Sequence, residues 1–530
     1  MHAPIQPIVL LGLFPIALAS VCSETTVHGG DPSSLTAGHK NVLFLAVDDM
    51  KDWVGCMGGY EGVVHTPNID RLAQSGILFS NAHCPSPKCA PSRAAILSGL
   101  RASKTGLYDN KHWWMPNYPN LLTMPLYFKS QGYEVAGAGK IFHHTAGNNP
   151  PVQWDDFLRL TFRVDPWFRS NKLNYPWSKV SGNPEGFPFS QVPRLGHEND
   201  WGWLPNTDDK YDDAISAGYA VEFLKARQLD KAQVSGAKPF FLACGIFRPH
   251  LPWYVPKEFF QQYPLDQVVL PQVLENDLED IPKAGLQFAE ARRGDLEKIR
   301  TAKSYRRAIQ AYLASITFAD YQIGRVLTAL EDSGLADHTI VVFWSDHGWH
   351  LGEKNHWHKS TLWEEATRVP FIVKDSSCSR GQVCKAAVSL LDIYPTLVAL
   401  CEESKNADAE QELPNFDGRN LQPLLRNPLQ EWDKPVVIEF KRGNAAVRSN
   451  RYRYIRYADG SEEFYDHQTD PLEWHNLAGE NTAASEVKRL SEFLPKSWAA
   501  EAKSKKDFEF DPQEYSWTNK ESGQVIRGNN

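Results

Sequence analysis

Residues 41–49 read Asn41-Val42-Leu43-Phe44-Leu45-Ala46-Val47-Asp48-Asp49, an apolar run that stops abruptly on two aspartates. A run of this kind lacks the alternation of a half-exposed strand, which predicts a strand buried on both faces, as in a parallel sheet. Four further runs share its character: Tyr133 to Ala136, Pro239 to Ile246, Ile340 to Trp344 and Pro370 to Val373. Helical patterns lie between them, among them Asn68 to Gln74 and Ser304 to Asp332, each followed by a glycine, Gly76 and Gly334. The alternation predicts an α/β fold around a central, mostly parallel sheet. Ligands of such sheets gather beyond the carboxyl ends of the strands. There the chain carries Asp48-Asp49 after one run, Lys140 to His143 after a second, Arg248-Pro249-His250 after a third and Asp346-His347 after a fourth.

Further along, the pattern restarts near Leu425 with Pro435 to Phe440, Tyr452 to Tyr457 and Glu462 to Tyr465. These predict a smaller C-terminal α+β domain with an antiparallel sheet, so that residues 38–427 form the large domain and 428–530 the small one, ending in a polar tail after about Lys503. Residues Pro150 to Asp212, rich in Pro, Trp and Asn, are expected as long loops over the carboxyl edge. A chain of 530 residues with 42% hydrophobic content can bury a large core and a second one. Its formal net charge of −8, without a long basic run, argues against a nucleic-acid partner.

The apolar stretch from Ile8 to Val21 is too short to span a bilayer and ends near Ala17-Leu18-Ala19, so residues 1–19 are expected to be a cleaved export signal. With His2 as the one basic candidate before it, a buried N-terminal segment is the alternative. Export without stable membrane insertion places the protein in a periplasm or outside the cell. The absence of any Asn-x-Ser/Thr site favours a bacterial source. Cys378 and Cys384 bracket a short polar loop and are a candidate disulfide pair.

Chemistry concentrates in Cys89-Ala90-Pro91-Ser92-Arg93, which precedes Ala94 to Ser98 and Gly99. Pro91 fits a first helical position and Gly99 a C-terminal cap, so Cys89 is expected just before a short helix whose free N–H groups favour an anion. Taken alone, such a cysteine is more often a small core residue. Asp48 and Asp49 would repel each other at the end of a buried strand unless a cation or hydrogen bonds held them. Helix capping is the alternative. Asp346 and His347 end another strand and can add ligands, and a donor set dominated by oxygen suits Ca²⁺ or Mg²⁺ better than Zn²⁺. Lys140, His143, His250 and Lys359 fall in loops of the same edge, and lysines and histidines are the residue types that neutralise an anionic ester and protonate its leaving alcohol. Neighbouring His144, His356 and His358 are expected to be structural or to line the rim.

Together these motifs resemble the type I, formylglycine-dependent sulfatases, most closely the iduronate-2-sulfatase branch, from about Asn41 to Leu477. The resemblance rests on Val47-Asp48-Asp49, Thr66 to Ala73, Cys89 to Arg93, Gly139 to His143, Arg248-Pro249-His250, Ser345 to Trp349 and Lys359, with Leu391 to Leu397 and Asp470-Pro471 in support. It implies an alkaline-phosphatase-like large domain and a cation, usually Ca²⁺, held by Asp48, Asp49, Asp346, His347 and the residue derived from Cys89. It also implies conversion of Cys89 to formylglycine by a formylglycine-generating enzyme. One hydroxyl of the aldehyde hydrate would attack sulfur. His250 and Lys359 would serve the leaving alcohol, Arg93 and Lys140 would stabilise hydrate and sulfate charge, and His143 would help deprotonate the second hydroxyl. The implied substrate is a sulfated saccharide, a uronic acid or related unit, with Trp113, Trp114 and Trp253 as stacking surfaces or, equally, core aromatics. A phosphodiesterase or phosphonate hydrolase of the same superfold and a non-catalytic binder of sulfated glycans are the rival expectations.

Overall fold

Seven of the eight strands in the main sheet run the same way, and the eighth, Phe371–Lys374, runs against them. A computed structural model describes residues 40–159, 188–204, 211–227, 238–291, 293–402 and 415–529. The expected export signal lies outside these residues, as does much of the expected loop region 150–212. The strands are β1 (Asn41–Asp48), β2 (Ile77–Phe79), β3 (Glu134–Gly139), β4 (Asp156–Leu158), β5 (Phe240–Pro249), β6 (Thr339–Ser345), β7 (Phe371–Lys374) and β8 (Gln382–Cys384). They lie side by side in the order β8-β2-β7-β6-β1-β5-β3-β4. The run at Pro370 to Val373 thus forms a strand, β7, antiparallel to both its neighbours.

Alternate side chains of β1 feed two cores. Leu43, Leu45 and Val47 pack with helices α1 (Pro67–Ser75), α3 (Asp212–Lys225) and α4 (Tyr305–Asp332) on one face. Val42, Phe44 and Ala46 pack with α2 (Cys89–Ser98) and α5 (Ile393–Glu402) on the other. Burial on both faces is what the unbroken apolar run requires. Each fully buried Val, Leu or Phe contributes about 1.5–3 kcal/mol toward holding the layers together.

After the main sheet come β9 (Val436–Glu439), β10 (Ala445–Arg448), β11 (Tyr452–Arg456) and β12 (Glu462–Asp466), a four-stranded antiparallel meander. The sequence beyond Lys503, expected as a polar tail, instead folds into a three-stranded antiparallel sheet of β13 (Phe508–Asp511), β14 (Ser516–Asn519) and β15 (Val525–Arg527). Its strands are too short for periodicity to register, yet Trp517 is fully buried against Trp113 and Phe510. Cys378 and Cys384 are free thiols. No helix among the described residues is long and apolar enough to cross a membrane.

Candidate active site

Strand register assembles the site. Asp48 stands opposite Pro249 of β5, Val47 opposite Ser345 of β6, and Gly139 of β3 opposite Gly245 of β5, so the residues that follow each strand meet at one edge. Asp49 turns the chain with a left-handed backbone (φ 63°), a conformation that costs a non-glycine residue about 1 kcal/mol or more and clusters at functional sites. That turn is held on three sides. The Asp49 amide donates to Asp346 Oδ1 at 3.2 Å, the Met50 amide donates to Ser345 Oγ at 3.0 Å, and the Tyr312 hydroxyl of α4 donates to the Asp49 carbonyl at 2.7 Å. Tyr312 carried no signal in the sequence, because it works through the backbone of a residue remote in the chain.

Helix α2 begins two residues earlier than its proline suggested. Cys89 is its first residue, Ser92 N–H donates to Lys88 O at 2.9 Å, and Pro91 sits within the first turn, where a missing N–H costs nothing. Gly99 caps it in the left-handed region (φ 73°), as expected. The Cys89 sulfur lies 3.0 Å from Lys359 Nζ, 3.2 Å from His347 Nε2 and 3.6 Å from Asp48 Oδ1. Burial, reinforced by Asp48, pushes the thiol pKa up, which makes it a poor thiolate nucleophile in unmodified form.

Asp48, Asp49, Asp346 and His347 are all fully buried. Ligand atoms of Asp48, Cys89, Asp346 and His347 lie within 4.8 Å of one another, and so do those of Asp48, Asp49, Cys89 and His250. Two features fit this cradle to a divalent cation. Asp49 Oδ2 is buried with no hydrogen-bond partner, and burial, only partly offset by Lys359 and reinforced by Asp48, pushes the Asp49 carboxyl up to about 7. In addition, His347 Nδ1 lies 3.1 Å from the Gly348 carbonyl, an acceptor only, so Nδ1 carries the proton and the bare Nε2 faces Asp49 and Asp346 at 3.4 and 3.7 Å.

Arg93 is committed to scaffolding. Its Nε donates to Asp346 Oδ2 at 2.8 Å, its Nη1 to the carbonyls of Lys140 and Ile141, and its Nη2 to Val47 O at 3.1 Å. Burial opposes ionisation of Asp346, but Arg93 holds its carboxyl well below the usual range. Lys140 is ion-paired with Asp48, and Lys359 bonds Asp49 Oδ1 at 2.6 Å. Burial works against the Lys359 charge, yet Asp49 and Cys89 keep its pKa above the ordinary lysine value. His250 Nδ1 is 2.6 Å from the Leu251 carbonyl, and its Nε2 is 3.7 Å from Asp49 Oδ2. His143 stands close enough for Lys140, Asp48 and Lys359 to bear on its ring. The structure therefore gathers Asp48, Asp49, Cys89, Arg93, Lys140, His143, His250, Asp346, His347 and Lys359 at one edge of the sheet.

Among the neighbours, His356 is held between the Ala289 and Lys359 carbonyls, His358 is paired with Asp295 at 3.1 Å, and the His144 ring lies 6.2 Å from that of His250. The three tryptophans are core aromatics. Trp253 is fully buried among Tyr312, Trp349 and Trp357, while Trp113 and Trp114 are buried with their indole N–H groups on the Ala146 and Asn148 carbonyls.

Such a site at the carboxyl edge of this sheet defines an alkaline-phosphatase-like hydrolase, and the comparisons narrow it. Residues 40–402 match the family described as Sulfatase, and residues 352–499 match the C-terminal region of N-sulphoglucosamine sulphohydrolase. A sulfatase from Formosa agariphila is 36% identical over 87% of this chain and 88% of its own length, and the iduronate 2-sulfatase of Homo sapiens is 30% identical over 87% and 95%. The chain belongs to the sulfatase family. A solved phosphonate monoester hydrolase from Silicibacter pomeroyi superposes with a TM-score of 0.66, covering 86% of this chain and 94% of that one, at 22% identity that speaks for the fold alone.

Proposed function

We propose that this sulfatase removes sulfate from a sugar, a sulfated uronic acid or related unit of a polysaccharide or glycosaminoglycan, with Cys89 oxidised to formylglycine and one divalent cation, Ca²⁺, among Asp48, Asp49, Asp346, His347 and residue 89. What supports this is the position of Cys89 at the start of a buried helix, within hydrogen-bond reach of Lys359 and His347 and beside Asp48. The bound cation supplies Lewis acidity toward a sulfate oxygen. Hydrated formylglycine supplies an oxygen nucleophile where the Cys89 sulfur stands. Lys359, protonated and 15% exposed, binds a sulfate oxygen from the open side. His250, with Nδ1 fixed on a carbonyl, offers Nε2 to the departing sugar oxygen. Lys140 balances Asp48, and Arg93 holds Asp346 and the strand ends in place. His143, near enough for Lys140 and Lys359 to bear on its ring, completes the polar surround.

Export to a bacterial periplasm or beyond, maturation by a formylglycine-generating enzyme, and division into parts 38–427 and 428–530 belong to the same proposal. The similarity to iduronate 2-sulfatase supports a uronic acid substrate.

The test uses protein co-expressed with a formylglycine-generating enzyme. The peptide spanning Cys89 should lose mass on conversion to the aldehyde, and aryl sulfate should be cleaved far faster than aryl phosphate or phosphonate. A retained thiol with no hydrolysis would make the chain a glycan binder, and preference for the phosphorus esters would make it a phosphonate hydrolase. Desulfation of defined oligosaccharides then identifies the sugar.

A further inference from the structure

Residues beyond 499 lie outside both family matches, yet they are fastened to the loops around the site. Ala502 N–H donates to Gly106 O at 3.0 Å, Lys505 N–H to Lys111 O at 2.8 Å, and Val152 N–H to Gly528 O at 2.9 Å. From this strap the half-buried Lys505 reaches inward, its Nζ 2.7 Å from Thr145 Oγ1. It has no carboxylate partner among the described residues. Burial lowers its pKa to about 8, Asp109 working the other way, so at neutral pH it is an ammonium and donates only.

Thr145 Oγ1 has three neighbours. Lys505 Nζ donates to it at 2.7 Å, Asn148 Nδ2 donates at 2.7 Å, and His143 Nδ1 lies at 2.9 Å. The Asn148 amide is oriented without ambiguity, since the same Nδ2 lies 2.9 Å from the Thr145 carbonyl, which can only accept. A hydroxyl offers two lone pairs and one proton. Both lone pairs are taken by Lys505 and Asn148, so the proton goes to His143 Nδ1. A ring that accepts at Nδ1 and is neutral must carry its own proton on Nε2. Burial, then Lys140 and Lys505, hold His143 well below the ordinary histidine pKa, in keeping with a neutral ring.

Resting on the sulfatase reading above, we propose that Lys505 of the C-terminal strap, acting through Thr145, locks His143 with its proton on Nε2, so that His143 donates a hydrogen bond to the sulfate or hydrate oxygen and does not serve as the base. Nε2 makes no hydrogen bond to the protein among the described residues, which leaves it for the ligand. Lys505 and Thr145 are positioning residues. They act through His143, and Lys505 reaches it from a part of the chain that neither family match covers.

Neutron diffraction from deuterium-exchanged crystals at neutral pH tests the arrangement directly. The expected result is a deuteron on His143 Nε2, none on Nδ1, and the Thr145 hydroxyl deuteron directed at Nδ1. A deuteron on Nδ1 overturns the proposal, whatever the protein hydrolyses, so this result is independent of the sulfatase reading. Kinetics supply the second arm. Thr145→Val and Lys505→Met should each lower kcat about tenfold with KM changed less, while Thr145→Ser and Lys505→Arg restore most of it. Thr145→Val and Lys505→Met both leaving kcat within about twofold of wild type would also overturn it, since partners of this kind ordinarily cost about 10–100-fold.

Discussion

Two clusters of buried charge lie in this molecule, and only one is built for chemistry. At the seam under the four-stranded sheet, Glu364, Arg448, Arg453, Glu473 and His467 gather as densely as Asp48, Asp49, Asp346, Arg93, Lys140 and Lys359 do at the carboxyl edge. Glu364, His467 and Glu473 even present ligand atoms as close together as a metal would need. There, however, an arginine already stands between the acids. Arg453 Nε is 2.6 Å from Glu473, its Nη2 is ion-paired with Glu364, and its Nη1 donates to Leu362 O at 2.6 Å. Burial would raise the Glu364 pKa, but Arg448, His467 and Arg453 hold it well below the ordinary value. At the carboxyl edge the carboxylates are divided: Asp346 is held ionised, while Asp49 rises to about 7 with one oxygen unbonded. Charge density alone therefore does not mark function. A carboxylate left unsatisfied beside a cysteine at a helix start does.

The largest expected effects separate the two clusters outright. Cys89→Ala should abolish aryl sulfate hydrolysis, by at least about a thousandfold, with a thermal unfolding curve close to wild type. Arg453→Met should do the reverse. Removing one partner of a buried ion network leaves Glu364 and Glu473 uncompensated and lowers unfolding free energy by about 3–5 kcal/mol in denaturant titrations. Its turnover per folded molecule should stay near wild type, and a collapse of turnover in still-folded protein would erase the distinction drawn here.

Metal sharpens the same contrast. Adding Ca²⁺ to chelator-treated protein at a hundredfold excess over its dissociation constant should raise unfolding free energy by about 2.7 kcal/mol. Asp346→Asn should lose this gain and Arg453→Met should keep it. If Arg453→Met loses the gain and Asp346→Asn keeps it, the cation belongs to the seam.

The unequal legibility of these regions has physical causes. Long apolar strands bury both faces and so announce themselves, and polar residues at their carboxyl ends have few other reasons to be there. Asp48, Asp346 and His347 could thus be placed together from sequence, and the family resemblance added Cys89 to them. The antiparallel course of Phe371–Lys374 could not, because a fully buried run has the same pattern in either direction. Strands of three or four residues after Lys503 were invisible for want of a period, and with them Lys505. The four backbone and carboxylate contacts of Arg93 were equally illegible, because sequence shows its charge and not its partners.

Tyr312 belongs to the part that could not be read, and its replacement makes the smallest and most discriminating change. Its hydroxyl donates to Asp49 O at 2.7 Å and accepts from Lys51 N–H at 3.1 Å, bridging both ends of the left-handed turn. Tyr312→Phe keeps the ring that packs against Trp53 and Trp253 and deletes only that bridge. One buried donor and one buried acceptor are left unpaired, which costs about 1–3 kcal/mol. The strained Asp49 can relieve part of that cost by leaving the left-handed region, and doing so swings its carboxylate away from Asp346 and Lys359. Tyr312→Phe should therefore show reduced Ca²⁺-dependent stabilisation and a fall in kcat of about tenfold. A destabilised protein with unchanged Ca²⁺ response would mean that the turn is held by Ser345 and Asp346 alone.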